Sequence, residues 1–368
     1  MAVSNQLKHE IVALTRDLVL IPSSDSRPTE RERCFQFVKN HVDAVDHVEI
    51  REVRENDIPS LLVLPRDIAE PEVLMCAHLD VIDHADDAVY RSRVADGRIY
   101  GPGSGDMKGA LAVFLELFRH VQAKAGPVSL GMLVTSDEET GGSAGVRHVF
   151  QDLGLRCGTA LIPDGGSLTN ITVEEKGVVE LRMTAHGHGT HAARPWLSDN
   201  ALKRVLAAAE DVSAALNPAE DTEDHWHTTC TLTMVDTRNR TPNRIAGEAG
   251  ATLDVRFPAP LTSGEILARV RNIVPGDVAV EIGLLAEPAC LSPDPLFLEV
   301  ANELTGNQVN LVREHGASDA RFAVACGIPV VMSRPDVGNL HAEDEWIDIE
   351  SMMAFFTMYA TYLERKLA

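Results

Sequence analysis

No stretch of this 368-residue chain approaches the roughly 18 uninterrupted apolar residues that a membrane-spanning helix needs. The opening "MAVSNQLKHEIVALTRDLVL" alternates polar and apolar residues at helical spacing, unlike a secretory signal. Basic tracts are missing too. Lys and Arg number 33 against 55 Asp and Glu, a formal net charge of −22, and a surface this negative repels phosphate backbones. Nucleic acid is thereby excluded as a partner, and so is a nucleotide-dependent enzyme, because no phosphate loop is present. The six cysteines (Cys34, Cys76, Cys157, Cys230, Cys290 and Cys326) offer no pair at metal-ligand spacing. They read as reduced, mostly buried thiols of a cytoplasmic protein. There is no repeat of fixed period and no low-complexity segment.

What is present is ordinary for a globular protein: 45% apolar and 24% charged residues, in a chain long enough for about two domains. Helical spacing predicts helices over 5–20 and 29–42, from Met107 to about Lys124, over "SAGVRHVFQDL" and near 349–366. Runs such as "VEIREV", "SLLVL", "VLMCA", "VSLGMLVT" and "TALI" read as strands, and their alternation with helices predicts an α/β layer with a largely parallel sheet. Between these halves the order changes to β-α-β-β-α-β, a ferredoxin-like α+β arrangement. One α/β domain, residues 1–175 and 288–368, is thus expected to be interrupted by a second, 176–287.

The chemistry begins at "VTSDEETGG", residues 134–142, where Asp137, Glu138 and Glu139 follow an apolar run. Such clusters are ordinarily solvated acidic turns. Carboxylates crowded at the mouth of a buried strand, however, repel one another and resist ionisation unless something positive is near. Four other segments carry suitable groups. "HLD" sets His78 and Asp80 two apart on one face of an extended segment, where a carboxylate can take the second ring N–H of a ligating histidine. "YGPGSGDMKGA" delivers Asp106 just ahead of a helix; a dinucleotide loop is rejected because an aspartate in the third glycine's place repels pyrophosphate. "LIPDGG" supplies Asp164 at a strand end, and "VGNLHAEDEW" supplies His341 in a loop. Functional groups in open α/β sheets collect at the carboxyl ends of strands, so these segments can converge. Mixed imidazole and carboxylate ligation suits zinc, and also cobalt or manganese. Two such metals about 3.5–4 Å apart need a bridging carboxylate, which accounts for the crowding.

The order HLD, GDMKG, SDEETGG, PDGG and NLHAEDE resembles the co-catalytic dizinc hydrolase family of acetylornithine deacetylase, succinyl-diaminopimelate desuccinylase, aminoacylase and carboxypeptidase G, over nearly the whole chain. The resemblance implies a zinc-exopeptidase-type catalytic domain interrupted by a lid and dimerisation domain, and hence a homodimer. It implies that His78 and Asp164 hold one metal, that Glu139 and His341 hold the other, and that Asp106 bridges them. Asp80 would orient His78, Glu138 would be the general base toward a metal-bridging water, and the Asp106–Met107 bond would be cis. "GHGTHAARP" matches the stretch whose last histidine, here His191, reaches into the partner subunit's site to stabilise the oxyanion. "TPNRIAGEAGATLDVRF" matches the segment whose Asn243 and Arg256 contact substrate, although by itself Arg256 reads as a salt-bridged strand arginine. "HGASDARF" implies Ser318 and Arg321 as grips for a substrate carboxylate, with Arg334 a weaker candidate. A chain this acidic needs local cations to hold an anion.

The implied activity is hydrolysis of an amide next to a free carboxylate, in a small anionic N-acyl amino acid or a short peptide. The alternatives are a carboxypeptidase or dipeptidase of the carboxypeptidase G type and a non-catalytic binding protein on the same fold. The second is disfavoured because every expected ligand and Glu138 are retained. Aspartate rather than glutamate at 164, the lack of paired arginines in "EEKGVVEL" and Pro102 depart from the desuccinylase pattern and leave the acyl group open.

Overall fold

In the computed structural model, which describes residues 3–123, 128–218, 220 and 222–368, the chain divides into two compact units. The first comprises residues up to Val173 with Cys290–Arg313 and Ser318–Ala368, and the second Glu174–Ala289 with Glu314–Ala317. The first begins with α1 (Asn5–Val19), α2 (Pro28–Val42), β1 (Val48–Glu55), β2 (Ile58–Pro65) and β3 (Val73–His78). It continues through α3 (Gly109–Gln122), β4 (Leu130–Thr135) and β5 (Thr159–Leu161). The second contains β6 (Gly177–His186), α4 (Ala201–Leu216), β7 (Thr229–Asp236), β8 (Glu248–Phe257), α5 (Ser263–Ile273) and β9 (Val278–Ala286). The first resumes with α6 (Pro295–Thr305), α7 (Ala320–Ala325), β10 (Val330–Val331) and α8 (Ile349–Lys366).

The runs "VLMCAH" and "LGMLVT" pair in parallel as β3 and β4, buried at every residue. A strand covered on both faces has no polar side to present, which is why these segments lack alternation. The sheet order is β1-β2-β4-β3-β5-β10, with β3 parallel to β4 and β5, β5 parallel to β10, and the β1–β2 and β2–β4 pairs antiparallel. The expected largely parallel sheet is therefore a mixed one of mostly parallel strands. α3 runs through the core of this unit, and Phe114 on it stacks on Phe355 of α8 at 5.6 Å. At the start of α6, Asp294 accepts the Leu296 N–H at 2.9 Å and also receives Tyr362 Oη and Lys366 Nζ of α8, each at 2.9 Å.

Two helices differ from expectation. α3 begins at Gly109, not Met107, because Asp106 and Met107 have non-helical torsions; the bond between them is cis. "SAGVRHVFQDL" is helical over 146–152 only, with π-type hydrogen bonding over His148–Asp152. Just ahead of it, Asp137 Oδ2 accepts the Ala144 and Gly145 N–H groups at 2.7 and 3.2 Å, satisfying donors that the first turn of a helix leaves unpaired.

In the second unit four antiparallel strands run in the order β7-β8-β6-β9. Alternate residues Val179, Leu181, Met183 and Ala185 of β6 join Val205, Ala208 and Val212 of α4 and Ile266 and Val270 of α5 in its core. The chain order is the β-α-β-β-α-β read from the sequence. Among the described residues no helix is long and apolar enough to cross a membrane. All six cysteines are free: Cys34, Cys76 and Cys230 are buried, Cys157 and Cys326 half-buried, and Cys290 exposed.

Candidate metal centre and active site

His78 is the last residue of β3 and is 2% exposed. Its Nδ1 lies 3.1 Å from the Asp80 carbonyl oxygen and 3.5 Å from Asp80 Oδ1, leaving Nε2 to face Asp106 Oδ1 at 3.1 Å. The other oxygen of Asp106 faces Nε2 of His341 at 3.4 Å, and the same nitrogen lies 3.3 Å from Glu139 Oε2. His341 sits in the tight turn between the paired segments Val337–Gly338 and Trp346–Asp348, with φ at 63°. Left-handed backbone at a non-glycine residue is uncommon and here aims the imidazole at the acids.

These side chains fall into two groups whose ligand atoms lie within 4.8 Å of one another: His78, Glu138 and Asp164, and Asp106, Glu139 and His341. All five expected ligands are included. Glu138, expected as the general base, joins the first group. Asp137, adjacent to it, belongs to neither; it serves the backbone amides named above.

The electrostatics show how much the groups lean on each other. Burial raises the Glu138 carboxyl well above its usual range, and Asp164 adds to this. Glu139 is raised by burial, against the opposing pull of His341, with Asp106 raising it further. Asp106 goes the other way: burial alone would raise it, but hydrogen bonds with His341 and His78 lower it. The imidazoles respond in kind. Burial disfavours charge on His78, yet Asp106 and Asp80 hold its pKa well above the ordinary value, and Asp106 and Glu139 push His341 up to about 10. Positive charge on the imidazoles and negative charge on the acids thus favour one another. Imidazole nitrogens and carboxylate oxygens in this ratio also suit divalent zinc, cobalt or manganese, so the donor set fits two metal ions.

The supporting residues were less legible. Asp80 Oδ2 accepts the Glu139 N–H at 3.0 Å, so Asp80 touches both groups. Glu345, unnoticed in the sequence, accepts the Gly105 and Asp106 N–H groups at 2.7 and 2.9 Å and fixes the loop that presents Asp106. Both expected carboxylate grips are buried. Ser318 is 3% and Arg321 8% exposed, and the guanidinium donates to the backbone carbonyls of Ser318 at 2.5 Å and Gly141 at 2.8 Å. Arg334 is half-buried, its charge helps to lower Asp106, and its Nε, like that of Arg321, has no hydrogen-bond partner.

The remaining expected residues lie in the second unit. His191 is exposed and bridged through its backbone to Arg244, while the Ala192 N–H donates to the Asn243 carbonyl at 2.8 Å. His191 and Asn243 are therefore neighbours on adjoining loops. The Ala193 N–H donates to His191 Nδ1 at 3.1 Å. An Nδ1 that accepts leaves the neutral ring's proton on Nε2, which becomes a donor. Arg256 on β8 is held by both oxygens of Asp254 at 2.8 and 3.0 Å, the salt-bridged arrangement that the strand pattern alone suggested.

His78, Glu138, Glu139 and Asp164 at the carboxyl ends of parallel strands, joined by Asp106 and His341 from loops, form the donor groups of a metal-dependent amide hydrolase. The chain belongs to Peptidase family M20/M25/M40, whose sequence profile matches residues 74–365. It is 28% identical to succinyl-diaminopimelate desuccinylase of Acidiphilium cryptum (strain JF-5), covering 96% of this chain and 98% of that protein. It is 27% identical to the enzyme so named from Rhodospirillum centenum (strain ATCC 51521 / SW), covering 96% of each. Among solved structures, the fold is similar to an M20 family metallo-carboxypeptidase from Sulfolobus solfataricus, with a TM-score of 0.78 at 17% identity over 99% of both chains. It is also similar to human carnosine dipeptidase 1, with a TM-score of 0.77 at 14% identity over 99% of this chain and 97% of that one.

Proposed function

We propose that this enzyme removes the acyl group from a small N-acyl amino acid that carries a free carboxylate. The observation that carries this reading is the pair of imidazoles, His78 and His341, facing opposite oxygens of the one Asp106 carboxylate. His78 and Asp164 would hold one cation, Glu139 and His341 the other, and Asp106 would be shared; zinc is the first assignment, with cobalt or manganese chemically suited. When bound, the ions polarise the amide carbonyl and acidify water.

The chain's own residues do the rest. Glu138, its proton affinity raised by burial, takes a proton from the attacking water and returns it to the departing amine nitrogen. Asp80 holds the His78 ring through Nδ1 so that Nε2 faces the centre. His191, with Nδ1 occupied, offers Nε2–H to the tetrahedral oxyanion, and Asn243 beside it contacts the substrate. We assign the second unit as the family's lid and dimerisation domain, with His191 acting in the partner subunit's site of a homodimer. Arg334, whose charge reaches Asp106, would grip the substrate carboxylate, Arg256 being paired with Asp254.

The names of the relatives favour an N-succinyl amino acid among the acyl candidates, whereas Asp164 in place of glutamate keeps a carboxypeptidase or dipeptidase in view. The bond chemistry is the same. Assay of N-acetyl and N-succinyl amino acids against dipeptides, with and without a chelator, separates them. Absence of chelator-sensitive hydrolysis on the whole panel overturns the reading.

A further inference from the structure

Glu138 and Glu139 are consecutive, yet they belong to different donor groups. Their divergence depends on the tight turn that follows. The Thr140 and Gly142 N–H groups return to the Asp137 carbonyl at 3.2 and 2.7 Å, and the Gly141 N–H returns to the Glu138 carbonyl at 2.8 Å. Gly141 and Gly142 have φ of 101° and 62°, backbone that only glycine adopts readily. Glycine keeps the most conformational freedom of any residue, so contacts from outside the turn add to the hold of these bonds.

The segment Ser318–Phe322, which opens α7, closes over this turn. Arg321 bonds the Gly141 carbonyl with one nitrogen and the Ser318 carbonyl with another, and its guanidinium carbon lies 4.4 Å from the Phe322 ring centroid. A methyl group added at Gly142 would collide with Asp319 Oδ1 and come within 3.0 Å of the Phe322 ring. The carboxylate of Asp319 and the ring of Phe322 therefore abut the turn where Arg321 grips it. We propose that Arg321 is a positioning residue: it fixes the Glu138–Gly142 turn through the Gly141 carbonyl, so that Glu138 and Glu139 keep separate tasks. This rests on the reading of Glu138 as the proton carrier. It is distinct from the substrate-gripping role that the sequence suggested: at 8% exposure the guanidinium holds two carbonyls through its terminal nitrogens, and Nε alone is without a partner.

The test uses the full-length, zinc-loaded enzyme with Arg321→Ala and Arg321→Lys, the second retaining a cation and guarding against simple misfolding. Each is assayed on an N-acyl amino acid and on the matching neutral carboxamide, and amide hydrogen exchange is followed across residues 137–145. Misplacement by about 1 Å costs about 100-fold in rate. The expected result for Arg321→Ala is a fall in kcat of about that size on both substrates, with KM within about threefold of wild type and partial rescue by lysine. Exchange across 137–145 rises about tenfold or more, while β4 stays protected. A rise in KM confined to the carboxylate substrate would instead make Arg321 an anion grip. Unchanged kcat, or unchanged exchange across 137–145, also overturns the proposal. Wild-type enzyme inactive on every amide refutes the hydrolase reading itself, and the exchange data then decide alone whether Arg321 holds the turn.

Discussion

Asp80 accepts the backbone N–H of Glu139 at 3.0 Å, two residues beyond the histidine whose Nδ1 faces its own carbonyl. One aspartate thereby links the His78 group to the Glu139 group. Outer partners of metal ligands typically contribute 10–100-fold in affinity or activity. Asp80→Ala is expected to weaken binding of both zinc equivalents by about that factor, with Asp80→Asn milder because it retains an acceptor. Calorimetric titration of the chelator-treated protein checks this; loss of affinity at only one site would show that the link is not functional.

Glu138 lies within ligand distance of His78 and Asp164, so a proton-carrying role must be separated from ligation. Glu138→Gln is expected to lower kcat by about 100- to 10,000-fold while metal content stays unchanged. Elemental analysis beside steady-state kinetics reads both quantities. A variant that loses a metal equivalent in proportion to its activity makes Glu138 a ligand instead.

His191→Ala should lower kcat by about 100-fold or more, the usual cost of removing one oxyanion donor, with a smaller change in KM. If His191 acts across a dimer, mixing Glu138→Ala with His191→Ala subunits restores one competent site per heterodimer. Mixtures that stay inactive despite demonstrated subunit exchange argue against action in trans.

Asp294 joins α6 to α8 and gives a pH-dependent contribution to stability. Burial alone would raise its pKa, but Lys366, the Leu296 N–H and Tyr362 together lower it. A folded-state pKa below the unfolded value stabilises the protein above the unfolded pKa, near 3.9 for aspartate, and that stability is lost as pH falls through the lower folded value. Asp294→Ala should cost about 1–2 kcal/mol at neutral pH, mostly as a lost helix cap. The gap in denaturant midpoint between variant and wild type should narrow below about pH 4. A gap independent of pH contradicts the assignment.

The sequence disclosed the groups whose chemistry is in their side chains. His78, Asp106, Glu139, Asp164 and His341 each stand at a strand end or loop with a recognisable local pattern, and the β-α-β-β-α-β order of the second unit follows from periodicity. It hid residues that act by touching backbone far away. The carbonyl that receives Arg321 is 180 residues distant, and the amides that Glu345 receives are at separations of 240 and 239. No local pattern encodes such contacts, so only the resemblance of "HGASDARF" gave Arg321 a role, as a grip for substrate. The cap of the helix after Gly142 was hidden for a related reason: helical spacing in "SAGVRHVFQDL" does not disclose which side chain takes the amides ahead of it.

The central claim is that these acids are gathered to hold two metal ions through a shared Asp106. Zinc titration of the metal-free protein tests it most directly. Two equivalents are expected per wild-type chain, with Asp106→Ala weakening both. Fewer than one equivalent in wild type, or two undisturbed sites in Asp106→Ala, would contradict it.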